Sequence, residues 1–146
     1  MANQDEAHLN KLLVNLFNSV MIAESKAVLS EDFCDITEND MHIIEAIGIN
    51  EPKMTSEIAR SLNVTAGTLT VNMNSLEKKG YIIRTRSEED KRVVRISLTE
   101  QGTRVYHHHK NFHKKMIKSA IAGLTTEERK LLLACLTKLD IFFSEF

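Results

Sequence analysis

Residues 55 to 102, TSEIARSLNVTAGTLTVNMNSLEKKGYIIRTRSEEDKRVVRISLTEQG, switch hydrophobic period inside one short span. Two helical stripes come first and a strand-like alternation follows, which is the pattern of a helix, a turn, a second helix and a hairpin. Ile58, Ala59 and Leu62 form the apolar face of a first helix over Thr55 to Leu62, and the turn falls at Asn63-Val64. Thr65 stands where an N-cap belongs, with a hydroxyl that can accept an orphan amide and Val64 before it placed to staple onto Leu69. Leu69, Met73 and Leu76 then recur at helical spacing, and Gly80 supplies the left-handed residue that ends the helix.

The outward side of that second helix carries Gly67, Thr68, Thr70, Val71, Asn74, Ser75 and Lys78. It is short, polar and nearly uncharged, whereas a merely solvated helix more often carries Lys and Glu. Asn can pair with adenine, Thr with either groove partner, and a Val or Thr methyl can pack on a thymine methyl, so the surface suits reading of the major groove. The hairpin adds a second element. Tyr81 to Arg86 and Arg92 to Leu98 are β-branched runs separated by the polar Ser87-Glu88-Glu89-Asp90-Lys91. Val94, Ile96 and Leu98 share one strand face and can cover the two helices. Arg84, Arg86, Lys91, Arg92 and Arg95 cluster around the tip, where an arginine can enter a narrow minor groove. Asp90 is placed to hold the Arg92 guanidinium through a charge-assisted pair.

These residues resemble the winged-helix core of the MarR family of bacterial regulators. The Asp90-Lys91-Arg92 wing and the closing Leu98-Thr99-Glu100-Gln101-Gly102 match its most specific signature. Within the family, Gly67-Thr68-Leu69-Thr70, Lys78-Lys79-Gly80-Tyr81 and Asp90-Lys91-Arg92-Val93-Val94 are similar to the streptococcal-type repressors of fatty-acid synthesis genes. Many members carry an Arg in the recognition helix where this chain has Val71, so their operator sequences do not transfer.

At 146 residues with 42% hydrophobic side chains, the chain is expected to form one domain with an ordinary core. Residues 37–102 would be its DNA-binding winged helix-turn-helix, and residues 8–30 and 103–146 its helical dimerisation part. The fold class is thus mainly α with a small β wing. No stretch approaches the roughly 20 apolar residues of a membrane span, and Asp5, Glu6 and His8 interrupt any signal-peptide core, so a cytoplasmic location is expected. Cys34 and Cys135 show no CxxC spacing and read as buried small apolar residues. Asp32 and Asp35 beside Cys34 argue against a thiol switch. The overall charge of −1 hides an asymmetry: residues 1–51 carry −8, residues 52–118 carry +8 and residues 119–146 carry −1. A polyanion would therefore engage the middle of the chain and be repelled by its N-terminal segment.

Along the chain, Leu9, Leu12, Leu13, Leu16, Phe17 and Val20 mark a helix from His8 to about Leu29, and Asp32 to Ile36 a break. Thr37 and Asp40 form a capping-box-like start for a helix bearing Met41, Ile44 and Ile47, which stops near Gly48. After the wing, Thr99 to about Ala122 is a long helix with Lys110, Lys114 and Lys118 in a basic stripe. Thr125 and Glu128 box the start of a last helix. Its Leu131, Leu132, Leu133, Leu136, Leu139, Ile141, Phe142, Phe143 and Phe146 cannot all face one monomer core. A homodimer follows, with two recognition helices about one DNA turn apart on a palindromic operator.

No catalytic constellation stands out: there is no Gly-rich phosphate loop, no GxSxG and no paired Cys/His or Ser/His spacing, so the chain is not expected to be an enzyme. The glycines at 48, 80, 102 and 123 read as turn or helix-end residues, and Gly67 stands apart. His109 and His113, four apart beside His107 and His108, invite a metal such as zinc, with His42 or a Glu as the remaining ligand. The plainer reading is solvated or core-satisfied histidines, with no metal. The DNA-binding set is Thr65, Thr68, Thr70, Val71, Asn74, Ser75, Lys78, Arg84, Arg86, Lys91 and Arg92. The resemblance further implies a long-chain acyl group on acyl carrier protein as co-repressor, with the chain in an apolar cavity that Phe17, Met21, Ile44, Val105 and Met116 can line, unless these are plain core. The acidic carrier would dock on Arg84 and Arg86 or on the Lys110-Lys114-Lys118 stripe. Two other classes compete: a metal-responsive regulator of the same type, and a protein-interaction module whose basic stripe meets an acidic partner.

Overall fold

The computed structural model describes residues 2–28 and 31–146. In chain order they form α1 (Ala2–Val28), a 3-10 turn (Glu31–Phe33), α2 (Glu38–Ile47), β1 (Lys53–Met54), α3 (Thr55–Leu62) and α4 (Ala66–Lys78). Then come β2 (Ile82–Arg86), β3 (Val94–Leu98), α5 (Glu100–Ala120) and α6 (Thr126–Ser144). Leu29 and Ser30, the end of the first expected helix, lie outside the described residues. None of the described helices is long and apolar enough to cross a membrane.

The chain falls into two compact units, Met1–Phe112 and His113–Phe146. The first unit takes in the first half of α5, where Gly102, Val105 and His109 are buried. Its core joins Met41, Ile43, Ile44 and Ile47 of α2 to Ile58 and Ala59 of α3 and to Leu69, Met73 and Leu76 of α4. Ile82 and Ile96 of the sheet and Val105 close it. Each such side chain contributes about 1.5–3 kcal/mol relative to standing in water, so the helix pair is held rigid from behind.

The sheet has three antiparallel strands in the order β1-β3-β2. The hairpin is the expected wing, in register Ile82 to Leu98 and Arg86 to Val94. The third strand was not expected: β1 pairs Lys53 with Ile96 and Met54 with Arg95. Lys53 also donates from Nζ to the Ala46 carbonyl at 2.8 Å, placing a cation on the last turn of α2, where the helix dipole favours one.

Caps follow the sequence. Thr37 and Asp40 bond each other's backbone amides at 3.1 Å at the start of α2. Gly80, at φ 85°, ends α4 in a conformation that costs other residues dearly. Gly102 stands in the first turn of α5, a helix-end position as expected, and a Cβ there would sit 2.1 Å from the Tyr81 carbonyl oxygen. Its role is close approach, and Thr99 caps the same turn by accepting the Gly102 amide at 3.1 Å. Tyr81 in turn donates its hydroxyl to Asp35 at 2.5 Å. Burial first, and then this carboxylate, push the phenol up to about 12. Lys79 reaches the same loop, donating to the Asp35 carbonyl at 2.7 Å and to buried Asp40 at 3.0 Å.

The second unit, taken by itself, is the end of α5 and all of α6. Thr125 accepts the Glu128 amide while the Glu128 carboxylate accepts from the Thr125 amide at 2.8 Å and hydroxyl at 3.0 Å, the expected box. These bonds hold the Glu128 carboxyl below its usual range. No residue of α6 is buried.

Candidate nucleic-acid interface

The turn between α3 and α4 is made by Asn63, which adopts the left-handed conformation at φ 53° and returns its amide to the Arg60 carbonyl. Asn tolerates this region better than most residues because its short polar side chain can bond locally. The chain then re-enters helix at Thr65, whose hydroxyl accepts the Thr68 amide at 3.2 Å and donates to the Thr68 hydroxyl at 2.9 Å. With Leu69, Met73 and Leu76 locked inward, the register of α4 is fixed. Gly67, Thr68, Thr70, Val71, Asn74, Ser75 and Lys78 are all exposed on its outer side, as their spacing requires.

Two features of this face bear on recognition. Val71 is 69% exposed amid polar neighbours, an apolar contact with nothing of its own chain to pack on. Gly67 would meet no atom within 4 Å if it bore a Cβ, so the fold itself does not require glycine there. A backbone that must approach another molecule closely would. Thr70 spends its hydroxyl proton on the Ala66 carbonyl at 2.7 Å, which leaves it an acceptor and a methyl to offer.

In the wing, Ser87 and Val93 close the hairpin at 2.9 Å and Val93 returns its amide to the Asp90 carbonyl at 2.9 Å. Asp90 accepts the backbone amide of Arg92 at 3.0 Å and lies 3.7 Å from its guanidinium. The carboxylate therefore braces the turn more than the side chain, and Arg92 is left 95% exposed. Arg86 and Lys91 are exposed as well. Arg84, a member of the expected DNA-binding set, is half-buried and donates to Glu77 on α4 at 2.7 Å. The sequence reading missed Glu77, which ties the wing base to the recognition helix; an acid and a base flanking Gly80 were the available signal.

The other candidate residues separate. Ile44 and Val105 have no exposure and are plain core, Met21 is half-buried, and Phe17 is 66% exposed on α1. Two clefts of the first unit are lined by other residues, one by Ser25, Val28 and the Cys34–Glu38 loop, one by Asn39, His42, Leu62 and Asn72 among others. Met116 belongs to the second unit, half-buried. Lys110 is partly engaged, 3.7 Å from Glu45 and over the Tyr106 ring, whereas Lys114 and Lys118 are exposed. Of the histidines, His107 is exposed, His108 contacts the Ala27 carbonyl at 3.2 Å, and His109 is buried 3.3 Å from Glu45. Both cysteines are exposed, contrary to their expected burial. Cys34 falls in the loop before α2, and Cys135 on a helix that buries nothing in a single chain.

Comparison with known proteins agrees with this geometry. The model of the MarR family matches residues 36–94, from just before α2 to the start of β3. The chain is 34% identical to the HTH-type transcriptional regulator SarZ of Staphylococcus aureus over 125 residues, 84% of this chain and 76% of that protein. It is 30% identical over 106 residues to the HTH-type transcriptional regulator YpoP of Bacillus subtilis, 73% of this chain and 75% of that one. The structure of Streptococcus pneumoniae FabT in complex with DNA superposes with a TM-score of 0.91 at 38% identity, covering 96% of this chain and 98% of that one.

Proposed function

Since the chain belongs to the MarR family and is a DNA-binding transcriptional regulator, not an enzyme, we propose that it works as a homodimeric repressor on a palindromic operator. The exposed polar face of α4, held in register by its buried side, carries this reading. In it, Thr68, Thr70, Val71, Asn74 and Ser75 meet base edges from the major groove, Thr65 and Lys78 meet the backbone, and Arg92 enters the minor groove. Arg86 and Lys91 supply phosphate contacts, and Arg84 sets the wing against α4 through Glu77. The apolar faces left open on α1 and α6 support the dimer: Leu9, Leu12, Leu16 and Phe17 on one, Leu131, Leu133, Phe142 and Phe143 on the other. A second copy of the chain covers them and sets two recognition helices about one DNA turn apart.

For the regulated process, likeness to a fatty-acid synthesis repressor supports control of such genes, with long-chain acyl-acyl carrier protein as co-repressor. Linkage then requires the acylated carrier to bind the DNA-competent state more tightly, so that it raises operator affinity. With Ile44 and Val105 fully packed, an acyl chain would enter only by displacing core side chains. The test is fluorescence anisotropy of a labelled palindromic duplex, titrated with the protein alone and with acylated or unacylated carrier protein. The expected result is salt-dependent binding absent on scrambled duplex and strengthened by the acylated carrier alone. Equal binding to scrambled duplex would overturn operator reading, and equal enhancement by both carrier forms would overturn the acyl effector.

A further inference from the structure

The polar outward face of α4 has an apolar centre. At about 100° per residue, the buried Leu69, Met73 and Leu76 point one way and Gly67 and Val71 straddle the opposite direction, so these two stand farthest from the core. They are one helical turn apart. A helical side chain leans back over the turn before its own, and a β-branched one is stiff about its first torsion, so the Val71 isopropyl group projects toward the place where residue 67 would carry a side chain. Residue 67 carries none. The surface therefore holds a hollow floored by the Gly67 backbone and walled by Val71. Val71 is 69% exposed and a Cβ on Gly67 would meet no atom within 4 Å, so no part of the chain occupies it.

The surroundings select what fits there. The hydroxyls on either side are already bonded within the first turn of the helix, Thr68 accepting from Thr65 at 2.9 Å and Thr70 donating to the Ala66 carbonyl at 2.7 Å. Alanine is the better helix former and has room at position 67, so the fold does not call for the glycine. Residues 52–118 carry +8, which draws a polyanion to this part of the chain. Every group that a base pair shows in the major groove is a hydrogen-bond donor or acceptor except one, the 5-methyl group of thymine. An apolar hollow laid against a donor or acceptor would strip its water and return no bond. Laid against the methyl group, it only removes apolar surface from water.

On the major-groove reading of α4 given above, we propose that Gly67 and Val71 form a methyl-sized notch that takes the 5-methyl group of one thymine in each half-site. The operator for the test is selected by the full chain from a pool of duplexes with randomised centres. Each thymine of a half-site is then replaced in turn by uracil, which keeps the hydrogen-bonding edge and lacks only the methyl group. At one position uracil should weaken binding about fourfold in a single half-site and about fifteenfold in both, the worth of one and two buried methyl groups. Val71→Ala should bring the thymine-to-uracil ratio at that position close to one. Gly67→Ala, which fills the notch, should do the same while Tm stays unchanged or rises. Lys78→Ala should weaken the thymine and uracil duplexes alike and keep the ratio. A selected operator that tolerates uracil at every thymine, or has no thymine in its half-sites, overturns the notch and leaves operator reading standing. A ratio that survives in both Val71→Ala and Gly67→Ala also overturns it. Selection that yields no preferred sequence overturns the notch and operator reading together.

Discussion

α4 and α6 are both capped by a threonine that accepts an amide three residues on, yet they complete their packing differently. α4 buries Leu69, Met73 and Leu76 within its own chain and turns a polar face outward. α6 buries nothing and presents Leu131, Leu133, Ile141, Phe142 and Phe143 to solvent. A helix with an apolar stripe on one side is finished by one core, whereas a helix apolar nearly all round is finished only by a further surface. On the function proposed above, the first helix reads DNA and the second assembles the dimer.

The largest effect should come from α6. Leu136, 48% exposed in the single chain, would become buried in a dimer, so Leu136→Glu should destabilise the assembly by more than about 3 kcal/mol. Sedimentation should show loss of the dimer together with loss of folding or of DNA binding. A wild-type chain that sediments as a folded monomer at micromolar concentration would break the comparison outright. On α4 the corresponding change is Leu76→Ala. It removes a fully buried side chain and should cost about 2–5 kcal/mol in chemical denaturation. A cost near zero would mean that α4 is not held from behind.

These contrasts explain what the sequence disclosed. Period, caps and the charge split depend on local residue order, so α3, α4, the wing and the outward face of α4 were all legible. β1 was not, because two residues carry no periodicity and their strand character comes from pairing with β3. The pairing of Arg84 with Glu77 was not legible, because the two lie across a turn whose geometry is set in three dimensions. Gly102 reads as a helix-end residue and stands in the first turn of α5, but the close approach of the Tyr81 carbonyl comes from a neighbour only in space. The cysteines misled for a related reason. Composition predicts that small apolar groups go inside, while Cys135 sits on a helix with no buried residue.

A smaller effect sharpens the reading role of α4. Asn74 is exposed and has no part in the core, so Asn74→Ala should leave Tm nearly unchanged and cost about 1–3 kcal/mol on operator, with altered preference at one position per half-site. Lys78→Ala should weaken all sequences about equally and lower the salt dependence of binding. If both variants lost affinity uniformly, the outward face would contact the backbone alone.

The smallest effect compares the two caps. Replacing either Thr65 or Thr125 by Ala should cost about 1 kcal/mol, but the caps should respond differently to pH. The residue three beyond Thr65 is Thr68, which does not titrate in the acid range, whereas the one beyond Thr125 is Glu128, a carboxylate held by the Thr125 amide and hydroxyl. Those bonds depress the Glu128 pKa below the ordinary value of 4.5. A group depressed on folding stabilises the protein above its unfolded pKa, and the contribution is lost as pH falls through the folded value. Between these limits the unfolded chain binds the extra proton. Glu128→Gln should therefore be less stable than wild type at neutral pH, with the gap closing below about pH 4. Urea denaturation at a series of pH values checks this. A gap independent of pH would mean that the capping bonds of α6 do not depend on the charge of Glu128.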